Sequence, residues 1–262
     1  MGEFGDISPE LKNISGELRN IKLTLEYDGT EFHGWQIQKA ARTVQGVLEE
    51  ALERLLGTPH RVIAASRTDA GAHARGQVVS LHTRSAMPEG RVMLGLNALL
   101  PEDVVVREAS EVGLDFNARR SAKSRRYSYT VIVGPSALWR GNAWSIRRPL
   151  KLSVMEDACR GIIGLKDFRA FSGIPEQGDS TLCTVIESVW REWPRGYVLE
   201  IEADRFVTHM VRTLAGTMVR LGEGKMEVNE FVEALRTRTR PKLAMTAPAR
   251  GLCLERVKYD GG

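Results

Sequence analysis

The segment Ser66 to Val78, SRTDAGAHARGQV, sets one carboxylate, Asp69, two residues after Arg67 and four before His73, in a turn rich in glycine and alanine between two apolar runs. A carboxylate flanked by a cation and a histidine suits nucleophilic or general-base chemistry. It equally suits a plain turn, because an aspartate before a small residue and glycine often bonds its own backbone. An aspartate working in a cleft away from bulk water has a further requirement. Low-dielectric surroundings disfavour its charged form, and a guanidinium within a few ångströms restores that form and fixes its orientation.

The second half of the chain offers such a group. In RFVTHMVRTLAGTMVRLG, from Arg205, helical spacing places His209, Arg212 and Gly216 on one face beside an apolar stripe of Phe206, Met210, Leu214, Met218 and Leu221. Arg212 then reaches a cleft if the helix lines one; a surface arginine or a structural ion pair is the other reading. Tyr127 opens an alternating run with Tyr129, Val131 and Val133, directly after RRSAKSRR, which carries five basic side chains from Arg119 to Arg126 and no acid. Strand tyrosines are ordinarily core or edge residues. Beside phosphate binders, the ring also suits stacking on an unpaired base.

Net charge alone, +4, says little about partners; its distribution says more. RRSAKSRR, RRPLK from Arg147 to Lys151 and RTRTRPK from Arg236 to Lys242 together predict an electropositive track for nucleic acid, although each run alone also reads as a solvated face. Cys159, Cys183 and Cys253 are far apart, with neither a Cys-x-x-Cys pair nor zinc-site histidine spacing. Neither a metal site nor a disulfide framework is expected, which points to a reducing compartment such as the cytoplasm. No window approaches the roughly 18 apolar residues of a membrane helix, so no membrane partner is expected.

The elements that must position these groups follow from periodicity. IKLTLEY alternates as a half-buried strand, and Val44, Val47, Leu48, Ala51, Leu52 and Leu55 mark an amphipathic helix with Thr43 as N-cap and Gly57 as stop. Further along come the short run RVIAAS, the Asp69 loop, a strand QVVSLHT, a helix from near Pro88 to about Leu100 and a strand DVVVREA. A similar series starts near Ser121: strand RRYSYTVIV, a helix from about Ser153 to Ile163, strands around TLCTVIESVW and YVLEIEA, helices from Phe206 and Asn229, and a closing strand GLCLERVKY. The expected fold is α+β, with two ferredoxin-like (RRM-like) halves joined into one extended, mostly antiparallel mixed sheet, helices on one face and a central cleft. The expected division is a polar N-terminal extension at 1–20, a domain at 21–120 carrying the Asp69 loop, and a domain at 121–262.

Seven segments, in this order, make the chain resemble tRNA pseudouridine synthases of the A family: YDGTEFHGWQIQ from Tyr27, RTVQGVLEEAL from Arg42, RTDAGAHARGQV from Arg67, RRYSYTV from Arg125, DFRAFS from Asp167, FVTHMVRTLAGTMVRLGEG from Phe206 and TAPARGLCLERVKY from Thr246. The resemblance implies isomerisation of uridine to pseudouridine on the 3′ side of the tRNA anticodon stem and loop, by a homodimer, with no metal and no organic cofactor. It implies that Asp69 is the catalytic aspartate and that Arg67 enters the RNA as the base leaves. It further implies that Tyr127 stacks on the target base and accepts a proton, that Arg212 pairs with the carboxylate and that Leu252 lines the pocket. Ser66 and Ala72 stand where the family usually has glycine and valine. Cys183 stands where it has arginine, which implies one RNA contact fewer. Two alternatives belong to other classes. A non-catalytic RNA-binding protein of tandem RRM-like halves would carry the K/R-G-F/Y-G/A-F-V-x-F/Y octapeptide, which this sequence lacks. A metal-dependent phosphohydrolase using Asp69, His73 and His82 would have few ligands.

Overall fold

The structure is a computed structural model that describes residues 16–173 and 180–260. Chain order gives β1 (Arg19–Tyr27), α1 (Val44–Leu56), β2 (Ile63–Ala64), β3 (His73–Thr83), α2 (Glu89–Leu99) and β4 (Val104–Val112). Then follow β5 (Ser124–Val133), β6 (Trp144–Ile146), α3 (Leu152–Ile162), β7 (Gly164–Asp167), β8 (Leu182–Trp193), β9 (Gly196–Ala203), α4 (Met210–Gly222), α5 (Val228–Thr237) and β10 (Leu252–Lys258).

Local signals account for most of these boundaries. The α1 helix starts where Thr43 Oγ1 accepts from the Gly46 N–H, and ends where Gly57 takes a left-handed φ of 77° and donates to the Glu53 carbonyl. Along β1, Ile21, Leu23, Leu25 and Tyr27 are buried while Lys22, Thr24 and Glu26 are less so, which is the alternation expected when a sheet packs on one face. The polar extension expected to reach residue 20 ends earlier, because Arg19 and Asn20 already pair with Thr83 and His82 of β3. Residues 1–15 lie outside the described residues. Two strands also differ from expectation: β3 begins at His73, inside the expected loop, and RVIAAS contributes only the two residues of β2.

The strands form one sheet in the order β4-β1-β3-β10-β5-β9-β8-β7, with β2 beside β3 and β6 beside β5. The join is made by the final strand. β10 lies parallel to β3 through Cys253↔His73 and antiparallel to β5 through Leu252↔Tyr129, so the sheet continues from one half into the other without an edge. The division expected at residue 120 falls in the connection from β4 to β5. A continuous apolar core runs the length of one face, from Leu23, Leu48 and Leu96 to Tyr129, Leu214 and Phe231, and takes in residues of all five helices. A smaller cluster of Ala65, Val78 and Ala118 lies apart, covered by Phe116, Val257 and Tyr259. Among the described residues no helix is long and apolar enough to cross a membrane.

α4 is buried nearly all round, not merely along the expected stripe, because the segment 245–247 covers its outer side. Gly216 makes that cover possible. A Cβ there would sit 2.2 Å from the Met245 carbonyl oxygen and 2.9 Å from the Ala247 nitrogen, both backbone atoms. In a helix, replacing glycine by alanine ordinarily gains up to about 1 kcal/mol. Here overpacking against backbone costs about 1–3 kcal/mol and wins. Gly216→Ala is therefore expected to lower the midpoint of thermal unfolding by several degrees, as measured by circular dichroism; an unchanged or raised midpoint would show that the cover yields freely.

Candidate active site

The Asp69 loop is held at almost every residue by groups distant in sequence. The buried Arg125 guanidinium donates to the Ala65 carbonyl at 3.1 and 3.3 Å. The fully buried Gln77 amide grips Ser66 on both sides: its Oε1 accepts from the Ser66 N–H at 3.3 Å and its Nε2 donates to the Ser66 carbonyl at 2.7 Å. Thr68 turns inward and shares a 2.7 Å hydrogen bond with the buried Tyr27 hydroxyl. The Trp35 N–H donates to the Thr68 carbonyl, and the Gly71 N–H donates to the Phe32 carbonyl. With Ser66 and Thr68 held inward, Arg67 is exposed and Asp69 is half-buried.

Two glycines of the YDGTEFHGW segment let it lie against this loop. A Cβ at Gly29 would fall 1.9 Å from the Ala72 carbonyl oxygen, and one at Gly34, where φ is +89°, 2.9 Å from that of Thr68. The sequence reading treats this segment as a loop and misses its supporting role, along with Ser66 as a bonding group and Gln77. No periodic signal marks such residues, because their partners come from other strands.

Arg212 meets the loop from the opposite half. Its Nη1 lies 2.6 Å from Asp69 Oδ2 and its Nε donates to the Ala247 carbonyl at 2.8 Å, with side chains 17% and 22% exposed for Arg212 and Asp69. The charge-assisted bond fixes one carboxylate oxygen. Asp69 Oδ1 has no hydrogen-bond partner among the described residues. α4 begins at Met210, later than the expected start near Phe206, because His209 takes a left-handed φ of 63° and stands as its N-cap. His209 is thus off the helix face expected for it, with Nε2 3.8 Å from Asp69 Oδ2.

Tyr127 lies in the same neighbourhood. Its hydroxyl is 2.7 Å from Ser66 Oγ, and the edge of Phe206 packs on its ring at 5.2 Å and 89°. With 5% exposure the ring is not an open platform. Burial pushes the Tyr127 phenol up to about 12, opposed by the Ser66 hydrogen bond and assisted by the charge of Asp69. Leu252 is buried as the first residue of β10, opposite Tyr129.

Two expectations about charge need correction. Arg125 and Arg126, inside the longest basic run, do not face a nucleic acid. Arg125 is buried on the carbonyls of Ala65, Arg119, Ala122 and Asp204, and Arg126 is ringed by Glu187, Glu200 and Glu202. In the run from Arg236, Arg236 pairs with Glu233 and Arg238 with Asp167. Arg119, Arg120, Arg147, Arg148 and Lys151 remain exposed. Cys183 is fully buried, with burial pushing its thiol up to about 11.

The residues of the metal-dependent alternative are not brought together. His73 Nε2 bonds the Gly141 and Arg250 carbonyls while its Nδ1 accepts from the Gly29 N–H, and His82 Nε2 bonds the Leu114 carbonyl. Among the described residues no group of three or more His, Cys, Asp or Glu is placed to hold a metal ion.

The sequence pattern of the tRNA pseudouridine synthase family matches residues 24–119 and 158–260. The chain belongs to this family. The matched segments include Asp69, Arg212 and Leu252, whereas Tyr127 lies between them. A tRNA pseudouridine synthase A of Acetivibrio thermocellus is 39% identical over 244 residues, covering 92% of this chain and 100% of that protein. Its counterpart in Moorella thermoacetica is 42% identical over 245 residues, covering 91% and 99%. As a tRNA pseudouridine synthase the chain is an isomerase acting on uridine in tRNA, and the reading as a non-catalytic RNA-binding protein falls.

The raised phenol has a consequence for stability in this synthase. A group whose folded value exceeds its usual 10.0 contributes stability that is complete below pH 10 and is lost as pH rises through about 12. The loss is on the order of 2 kcal/mol for a shift of this size. Thermal melts between pH 9.5 and 11.5 are expected to fall less steeply for Tyr127→Phe than for the parent. Equal slopes would mean that the phenol ionises freely in the folded chain.

Proposed function

We propose that this synthase modifies uridines on the 3′ side of the anticodon stem and loop, with Asp69 as the reacting carboxylate, working in the cytoplasm as a homodimer without metal or organic cofactor. The observation that carries the assignment of Asp69 is its 2.6 Å pairing with Arg212 across the two halves, which leaves Oδ1 without a partner among the described residues.

The reaction moves the sugar from N1 to C5 of uracil, exchanging a C5 proton for an N1 proton. It is therefore balanced in atoms and electrons without a redox partner. The uridine must first leave its stack, at a cost of a few kcal/mol. Arg67, exposed beside Asp69, suits the role of filling the gap and holding phosphate. Asp69 then acts on the sugar or base as nucleophile, or removes a sugar proton. Arg212 keeps the carboxylate aimed throughout, because its own position is fixed by the Ala247 carbonyl. Once uracil has turned and bonded through C5, Tyr127 suits the role of taking the C5 proton. Leu252 suits the apolar wall that keeps the detached base from escaping.

Asp69→Asn preserves size and loses the negative charge. Release of tritium from C5-labelled uridine in tRNA is expected to fall by about a thousandfold or more, with tRNA affinity nearly unchanged. Activity near that of the parent would remove Asp69 from this role. Mapping pseudouridine in tRNA from cells lacking the protein is expected to show loss within the anticodon stem and loop; loss elsewhere, with that region intact, would overturn the choice of site.

A further inference from the structure

We infer that Ser66 is a positioning residue for the reaction: its hydroxyl holds the Tyr127 phenol in place and receives the phenolic proton when Tyr127 accepts one from the base. The inference rests on the proposed role of Tyr127 and adds the group through which that role is exercised.

Geometry isolates this pair. Ser66 Oγ, at 2.7 Å, is the hydrogen-bond partner of the Tyr127 hydroxyl among the described residues. The ring itself is wedged by Phe206, so the oxygen has little freedom to seek another partner. Ser66 is in turn immobilised. Gln77 bonds its N–H and its carbonyl, and Arg125 bonds the carbonyl of the preceding residue, Ala65. A seryl oxygen fixed at three backbone points serves as a reference position for the phenol, just as Arg212 does for the carboxylate three residues further along.

Chemistry gives the contact a purpose beyond packing. A neutral phenol takes up a proton only if its own proton leaves in the same event, since neither a free phenolate nor a protonated phenol is stable in a buried site. A serine hydroxyl both accepts and donates. The step balances as follows: the C5–H bond breaks and its electron pair returns to the ring, whose N1 takes a proton from water, while the C5 proton passes to Tyr127 Oη, the phenolic proton to Ser66 Oγ and the seryl proton to solvent water. Ser66 is only half-buried, as Asp69 is, so the residue is not sealed from water.

The test compares the parent enzyme with Ser66→Ala, Ser66→Thr, Tyr127→Phe and the double variant Ser66→Ala/Tyr127→Phe, measuring kcat and KM with full-length tRNA. Ser66→Ala is expected to lower kcat about five- to tenfold, the worth of one hydrogen bond, with KM changed less than about twofold. Ser66→Thr, which restores a hydroxyl, is expected to recover most of kcat. In the Tyr127→Phe background Ser66→Ala should change kcat no further, because its partner is already gone. An unchanged kcat in Ser66→Ala, or the same fractional loss in both backgrounds, overturns the inference and leaves Tyr127 standing. A Tyr127→Phe enzyme that turns over like the parent overturns both readings. Thermal melts of each variant separate a folding defect from these outcomes, and a Ser66→Thr enzyme no better than Ser66→Ala also counts against the inference.

Discussion

A single ion pair between the two halves of the molecule, Asp69 with Arg212, sets the demands that the rest of the structure meets. The two residues are 143 positions apart, and their 2.6 Å contact has value for chemistry only if both backbones are fixed independently. Each is. Arg212 sits in the first turn of a helix buried on almost every side and is tied to Ala247 through its own side chain. Asp69 sits in a short loop whose neighbours are bonded to Tyr27, Gln77, Trp35 and Arg125. A carboxylate on an untethered loop would find its counter-ion by moving the loop; here the counter-ion finds the carboxylate already oriented, which is the preorganisation that electrostatic catalysis needs.

The polar network beneath the loop is largely buried, and it is satisfied, as buried polar groups must be. Tyr27, Thr68, Gln77, Ser66 and Tyr127 form a hydrogen-bonded chain between the core and the Asp69 loop, and each of their side chains has a named partner. Satisfied networks of this kind rigidify and specify one arrangement, whereas a gap in one is costly. The alternation of inward and outward residues from 66 to 69 follows from it: the network takes the even positions 66 and 68, and the reacting and exposed groups occupy 67 and 69.

How much of this was legible in the sequence depended on where each residue's partner lies. The α1 helix was readable because Thr43, its apolar positions and Gly57 are local signals with local partners. The strands β1, β5 and β10 were readable from alternation, and Asp69 with Arg212 from residue type, helical spacing and resemblance. What escaped was decided at a distance. Arg125 and Arg126 resemble phosphate binders because no acid lies near them in sequence, yet the glutamates around Arg126 arrive from β8 and β9, and Arg125 is drawn inward by the distant carbonyls of Ala65 and Asp204 together with those of Arg119 and Ala122. His209 fits a helix by spacing and is excluded from it by a left-handed backbone. Gln77 reads as one polar residue in a strand, and only the pairing of β1 with β3 beside the loop reveals what it grips.

The placement of β10 has a consequence for the life of the chain on the ribosome. β10, which follows every other described strand in the chain, occupies the middle of the sheet, between β3 and β5, and the segment just before it supplies the carbonyl that anchors Arg212. A polypeptide ending before Ala247 therefore leaves the facing edges of β3 and β5 without their shared partner and cannot seat the Arg212 guanidinium. Release before that point thus favours association through the open edges over activity, whatever the first half has already folded.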